Sequence, residues 1–389
     1  MSVNTMGIEQ AYSLIASLHE MATGQKTVTP TDESSFISVA QATLANGYDP
    51  VLNAISQVIG RTLIAVRPYT RKFGGLEMSA ERWGAIIRKI NFIDSDPQAN
   101  PTFELVDGQS YDPYVVKKPK ILETRYVGSV VWQGQYTIFT RQLDVAFHSA
   151  AEFASFMSGL MLHFANEREQ WLENVARGAV ANFIAAKNVI GGNGVVHLLT
   201  EYNAATGLSL TATTVRQPAN FPAFVRWLYA RVEELSKKMA ERSVLFQQQI
   251  TGKPIVRHTP VEDQKVYILA DFLAHMQAEV LSDTYHDNYL RLADTEAVGY
   301  WQAIDNPDDL TVTPVYIDNT GAVATGTSQV MTNVIGVMFD RDAIGYNIYQ
   351  DTLDTTPYNP RGQYYNLFNN VRLSLTNDLT EKGIVLLLD

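Results

Sequence analysis

The sequence predicts an α+β fold, and three observations carry that prediction. A single helical run of about 35 residues, 149–184, lies near the middle of the chain; two extended stretches, 85–93 and 121–140, come before it; and apolar strands at 334–339, 371–375 and 384–388 close the chain.

The long helix is the best marked element. Phe153, Phe156, Met157, Leu160, Met161, Phe164, Leu172, Val175, Ala179, Val180 and Phe183 recur at the i, i+3, i+4, i+7 spacing of one helix face, with Glu152, Ser155, Asn166, Glu167, Gln170, Glu173, Asn174 and Arg177 opposite. Ser149 with Glu152 three residues on is a capping-box start, and Gly191-Gly192-Asn193-Gly194 is the stop. At about 1.5 Å per residue the run is roughly 50 Å long.

Before it, residues 1–50 hold a weakly amphipathic stretch (Ile8, Tyr12, Ile15, Leu18) and then a polar link over 27–38, read together as an arm. Asp49 as N-cap and Pro50 at the first helical position start a helix over 50–59 that Gly60 closes, and 62–66 has the look of a short buried strand. In 121–140, Tyr126, Val130, Trp132, Tyr136 and Ile138 share one face by period two, while Val127, Val131, Thr137 and Phe139 make the other face apolar as well. A two-stranded ribbon is marginal alone in water, so one with two partly apolar faces is expected to lie on another surface, such as a second subunit. The Pro-, Asp- and Gly-rich excursion 94–119 between its strands is long for a hairpin loop.

After the long helix, 195–332 reads as a mixed region. A helix over 221–242 carries Phe224, Leu228, Val232, Leu235 and Met239; a buried strand follows at 265–270; and Asp271 caps a helix to Leu281. The last strand runs to the end of the chain, so it is expected to be paired inside a sheet.

Composition narrows the function. With 46% hydrophobic and 18% charged residues the chain is an ordinary globular one. Thirty Lys and Arg against 41 Asp and Glu give a net charge of −11, which argues against a surface that grips nucleic acid by neutralising phosphates. The absence of cysteine excludes disulfides, thiolate metal sites and thiol nucleophiles. The N-terminus lacks the basic and apolar regions of a secretory signal, and no run reaches the roughly 18 apolar residues of a membrane span.

Chemistry-bearing patterns are sparse. The seven histidines form no HExxH pair. Asp271, His275 and Glu279 fall at i, i+4, i+8 on one helix face, a spacing that can meet a divalent metal, but solvated helix faces produce it far more often. Asp340 and Asp342 at a strand end are a conceivable acid pair, more simply explained as turn residues. Gly191 to Gly194 follows a helix and not a strand, so it lacks the context of a phosphate loop. Arg67, Arg71, Lys72, Arg88, Lys89, Lys117, Lys118 and Lys120 cluster before and within the ribbon, with acidic patches on neighbouring subunits as their expected partners. No catalytic, cofactor-binding or metal site is assigned.

The order of parts resembles the major capsid proteins of tailed double-stranded DNA bacteriophages, the Hong Kong ninety-seven type of fold. Three segments carry the likeness: Tyr136-Thr137-Ile138-Phe139-Thr140-Arg141-Gln142-Leu143-Asp144 running into the capped helix, Phe339-Asp340-Arg341-Asp342-Ala343-Ile344-Gly345, and Asn377-Asp378-Leu379-Thr380-Glu381-Lys382-Gly383 before the final strand. The resemblance implies an N-terminal arm (1–60), a peripheral domain with the spine helix (61–82, 141–190 and 334–389), an extended hairpin loop (83–140) and an axial domain (191–333). It implies a structural, non-enzymatic protein without cofactors, which self-assembles as hexamers and pentamers into an icosahedral head around a double-stranded DNA genome. Expected partners are a separate scaffolding protein, since the segment before the first strand is short, with a portal, possible cementing proteins and packaged DNA in non-specific proximity; no membrane is involved. The expected location is the virion capsid, assembled in the host bacterial cytoplasm. The alternatives are an encapsulin-like nanocompartment shell and a soluble metal-dependent enzyme built on Asp271, His275 and Glu279.

Overall fold

The computed structural model describes residues 6–62, 71–78, 86–93, 100, 103, 106–110, 112–114, 116, 118, 120–128, 130–252, 255–281 and 294–389. In chain order the helices and strands are α1 (Ile8–Thr23), α2 (Glu33–Leu44), α3 (Tyr48–Thr62), β1 (Ile86–Ile93), β2 (Lys120–Val127), β3 (Val130–Phe139), α4 (Thr140–Ala146) and α5 (Ala150–Ile190). They continue with β4 (Val195–His197), α6 (Leu198–Thr206), α7 (Ala212–Val215), α8 (Phe221–Ala240), β5 (Gln264–Leu269), α9 (Ala270–Leu281) and β6 (Asp294–Val298). The short strands β7 (Leu310–Val312), β8 (Val315–Ile317), β9 (Val323–Thr325) and β10 (Gln329–Met331) lead to β11 (Val334–Asp340), β12 (Ile344–Thr355), β13 (Tyr364–Asn377) and β14 (Gly383–Leu387).

The chain divides into two compact units: Met1–Ala85, Gly128–Val175 and Asn347–Ser374 form the first, and Ile86–Val127, Ala176–Tyr346 and Leu375–Asp389 the second. In the first unit, α1, α2 and α3 turn Ala11, Ile15, Leu18, Phe36, Ala40, Val51, Leu52 and Ile55 into one core with Ile138, Leu143, Phe153, Met157, Phe164, Tyr365 and Leu367. The segment expected as an arm with a polar link is therefore helical, and α2 begins inside 27–38. Asp32 caps it by accepting the Ser35 N–H at 2.7 Å, so the polar residues there start a helix. Residues 63–66 of the expected short strand lie outside the described residues, and Thr62 ends α3.

The long helix is present and, at 41 residues, runs further than the sequence predicts. Ser149 is its cap, with Oγ accepting the Glu152 N–H at 3.2 Å, and Gly191 is its stop, at φ +67° and donating to the Lys187 carbonyl at 2.9 Å.

The stretch 121–140 is not one strand. Gly128, at φ +155°, ends β2, and β3 joins a different sheet in the first unit, where it pairs antiparallel with β13 from Tyr364↔Phe139 to Leu373↔Val130. Pairing with a strand more than 200 residues downstream decides the break, and periodicity within 121–140 carries no record of it. Trp132 of β3 stacks on Trp171 of α5 with ring centroids 5.4 Å apart.

The second unit is built on a five-stranded sheet of order β4-β14-β11-β5-β6. β14 pairs parallel with β4 and antiparallel with β11, so the final strand does sit inside a sheet. β11 and β14 are buried along their whole length, as their unbroken apolar sequences require. α8 buries the five predicted core residues and packs against α9.

Candidate assembly surface

β1 and β2 form a two-stranded antiparallel ribbon in the second unit, in register from Ile86↔Val127 to Ile93↔Lys120. Period two gives it two faces. Ile86, Arg88, Ile90 and Phe92 lie on one face with their partners Val127, Arg125, Glu123 and Ile121; Ile87, Lys89, Asn91 and Ile93 lie on the other with Tyr126, Thr124, Leu122 and Lys120.

The second of these faces is turned to the unit's own body. Lys89 Nζ reaches Asp378 Oδ2 at 2.8 Å and also pairs with Glu381. Arg257 donates to Asn91 Oδ1 at 3.1 Å and to Glu381 Oε1 at 2.8 Å. Beside these ions a small apolar cluster joins Leu122 and Ile93 to Ile250 and Ile255. Burial works against the Lys89 charge, but the two carboxylates outweigh it and its pKa ends above the usual lysine value. Burial likewise acts against Asp378, where Lys89 prevails and the pKa ends low; at Glu381 burial prevails and the pKa ends high. Burial, reinforced by the nearby Asp378 charge, raises the Tyr126 phenol. The expectation that the ribbon lies on another surface is met, for this face, by the body of its own unit.

The other face is exposed. Phe92 is 68% exposed and Val127 70%, with Ile86, Ile90 and Ile121 each open by more than half. Across its middle, Glu123 accepts from Arg88 and Arg125 at 2.7 Å each, and hydrogen bonds from Arg125 and then Arg88 hold its carboxyl down at about 2. An apolar face whose one charged row is paired within itself, two arginines on one carboxylate with a net charge of +1, is suited to covering by another protein surface. A second apolar surface lies in the first unit, a groove of about 750 Å³ between the end of β3, α4 and the start of α5, lined by Phe139, Val145, Ala151 and Phe156.

The basic cluster finds acids within its own chain. Arg71 pairs with Glu77 and with Glu169 at 3.4 Å, Arg88 with Glu123, and Lys89 with Asp378 and Glu381. Neighbouring subunits are not needed as partners for these three, and Arg67 and Lys117 lie outside the described residues. Asp271 and His275 sit 3.6 Å apart on the exposed side of α9, while Glu279 turns to Arg226 at 3.1 Å. Among the described residues no group of three or more such side chains is placed to hold a metal ion. Asp340 is buried and accepts from Thr259 Oγ1 at 2.7 Å and from the Asp342 N–H at 2.9 Å, a turn structure and not an acid pair. Sequence reasoning missed Arg257 and the anchoring role of Asp378 and Glu381; the only signal was the quoted segment 377–383, and nothing along the chain links Lys89 to a residue 289 positions away.

The sequence model of the Phi29-like phage major capsid protein family matches residues 15–386. The fold is similar to a chain of the capsid structure of Staphylococcus phage Andhra, at a TM-score of 0.57 and 11% identity over 84% of this chain and 86% of that one. It is similar also to a chain of a structure of the head fiber and inner core protein gp22 of native bacteriophage P68, at a TM-score of 0.55 and 11% identity over 82% and 84%. No curated protein matches the sequence.

Proposed function

Because the chain belongs to the Phi29-like phage major capsid protein family, a family of structural shell proteins, we propose that the outward face of its β1–β2 ribbon is the surface on which copies of the chain interlock. The observation that carries this reading is the exposure of Ile86, Ile90, Phe92, Ile121 and Val127 on one face of a ribbon whose other face is already covered. Burying a side chain of this kind is worth about 1.5–3 kcal/mol, so several together against a neighbour supply a substantial driving force for association. Nothing favours the nanocompartment or the metal-dependent enzyme.

On this reading the copies assemble as hexamers and pentamers, with α5 as the spine, 83–140 as the extended loop and 191–333 as the axial domain. A separate scaffolding protein guides closure in the host bacterial cytoplasm, and a portal, cementing proteins and the packaged DNA are the further partners. The net charge of −11 supports a lining that does not grip phosphate.

Two experiments test it. Deleting 96–118 is expected to leave a folded subunit that forms no closed shells in negative-stain micrographs; normal particles from the deletion overturn the role given to the loop. Closed shells of uniform size from this chain expressed alone overturn the need for a scaffold.

A further inference from the structure

The second unit holds a cavity of about 410 Å³ between the glycine turn after α5 (191–194), the segment 244–249 and the tip of the β8–β9 hairpin (316–319). Its walls are mixed: Ile190, Val244, Phe246 and Tyr316 stand against Gln247, Gln248 and Asp318.

The three glutamines of this wall are not equally satisfied. Gln249 is complete, since its Nε2 donates to the Ile255 carbonyl at 3.0 Å and its Oε1 accepts the Ile255 N–H at 3.1 Å. Gln247 Nε2 donates to the same carbonyl. That bond fixes which way the Gln247 amide is turned, and its Oε1 is left buried with no hydrogen-bond partner among the described residues. Gln248 is 7% exposed, and its Oε1 is likewise buried and unpartnered. Two buried acceptors without donors, on one wall of a cavity, are costly until something in the cavity supplies the donors.

Lys187 does not supply them. Its ammonium donates to the Phe246 carbonyl at 2.9 Å and to those of Leu379 and Glu381 at 3.5 Å, and its carbon stem packs on Gly194, where a Cβ would stand 3.2 Å from Lys187 Cδ. Asp318 brings a negative charge to the opposite side. Its Oδ1 accepts from Thr320 Oγ1 at 2.6 Å and from the N–H groups of Thr320 at 2.8 Å and Ala322 at 3.0 Å. These bonds, that of the Thr320 hydroxyl first, hold the carboxyl below its usual range and occupy one of its two oxygens.

From this set of groups we infer that the cavity is a binding site for a primary alkylammonium, whose three N–H donors go to Gln247 Oε1, Gln248 Oε1 and the second oxygen of Asp318. The Tyr316 ring offers the cation a π face, and Ile190 and Val244 receive its carbon stem. A hard metal ion suits the cavity less, because it asks for about six or more oxygen ligands and only one carboxylate is present. A free alkylamine and a lysine side chain of another protein share this chemistry. The site belongs to the single subunit and stands or falls independently of the proposed function.

Isothermal titration calorimetry on unassembled full-length subunits tests it, with putrescine as the free amine and Nα-acetyl-lysine methylamide as the side-chain mimic. Saturable binding of at least one amine is expected, the tighter of the two naming the source. Gln248→Leu and Asp318→Asn are each expected to weaken it about tenfold or more, as loss of a hydrogen bond to a charged group does. Gln248→Glu keeps an acceptor oxygen and adds charge, so it is expected to bind more tightly than the wild type. Wild-type subunits that bind neither amine, or that take up calcium or magnesium chloride in their place, overturn the inference without recourse to any variant. Binding that is indifferent to both Gln248→Leu and Asp318→Asn, or that weakens in Gln248→Glu, overturns it as well.

Discussion

Glu33, the first residue of α2, accepts the backbone N–H of Ala150, the first residue of α5, at 3.0 Å. The long helix therefore begins against a carboxylate supplied from 117 residues upstream, in addition to its own Ser149 cap. A negative charge at that end satisfies a free N–H and complements the helix dipole. Glu33→Ala is expected to cost the first unit about 0.5–2 kcal/mol, in the range of a lost N-cap, with Glu33→Gln costing less because the acceptor is kept. Urea denaturation followed by a probe in that unit, such as Trp132 or Trp171 fluorescence, checks the order of the two variants.

Gly383 opens β14 directly against the ring of Phe183. A Cβ there would stand 2.5 Å from Phe183 Cζ and 2.8 Å from Cε1, and Phe183 is itself buried against Phe339. Neither side of the contact can yield without repacking a filled core, so Gly383→Ala is expected to destabilise the second unit by about 1–3 kcal/mol. Phe183→Leu added to it should give a double variant more stable than the sum of the two separate losses. A double-mutant cycle from denaturation midpoints reads this, and strict additivity would contradict the contact.

The buried Lys187 sets a dependence on pH. Burial pulls its ammonium down to about 7, against the opposing charges of Asp378 and Glu381. In the unfolded chain lysine titrates near pH 10.4, so between about 7 and 10.4 the unfolded state binds a proton that the folded state does not, and stability rises with pH across that window. Lys382, pulled by burial to about 8, acts with the same sign over a narrower range. Lys187→Met should therefore fall further behind the wild type as pH rises from about 7 to 10. A stability difference between the two proteins that stays constant across those pH values would contradict the assignment.

Much of the architecture was legible because it is written locally. The apolar stripe of α5, its Ser149 start and its Gly191 stop are all neighbours in sequence, and so are the unbroken apolar runs of β11 and β14 that mark strands buried on both faces. Choice of partner was not legible. The residues from Ile121 to Phe139 read as one extended stretch, yet β2 goes to β1 and β3 to β13, because pairing is settled by side chains elsewhere in the chain. The first helices were understated for a related reason: Phe36 and Ala40 carry α2's contribution to the core, and their significance lies in Phe153 on another helix, 5.8 Å from the Phe36 ring. At the ribbon, alternation revealed two faces but not which one Asp378, Glu381 and Arg257 would claim.

In the proposed function the outward face of the ribbon is covered by another copy of the chain. The most direct test of this is to place charge there, with Ile90→Asp and Phe92→Asp together, in the full chain expressed with its genomic neighbours, and to follow the product by sedimentation and negative-stain microscopy. Both side chains are exposed in the subunit, so its stability should change by no more than about 0.5 kcal/mol. The expected result is soluble, folded subunits and no closed shells, whereas shells of wild-type size and yield would contradict the central claim.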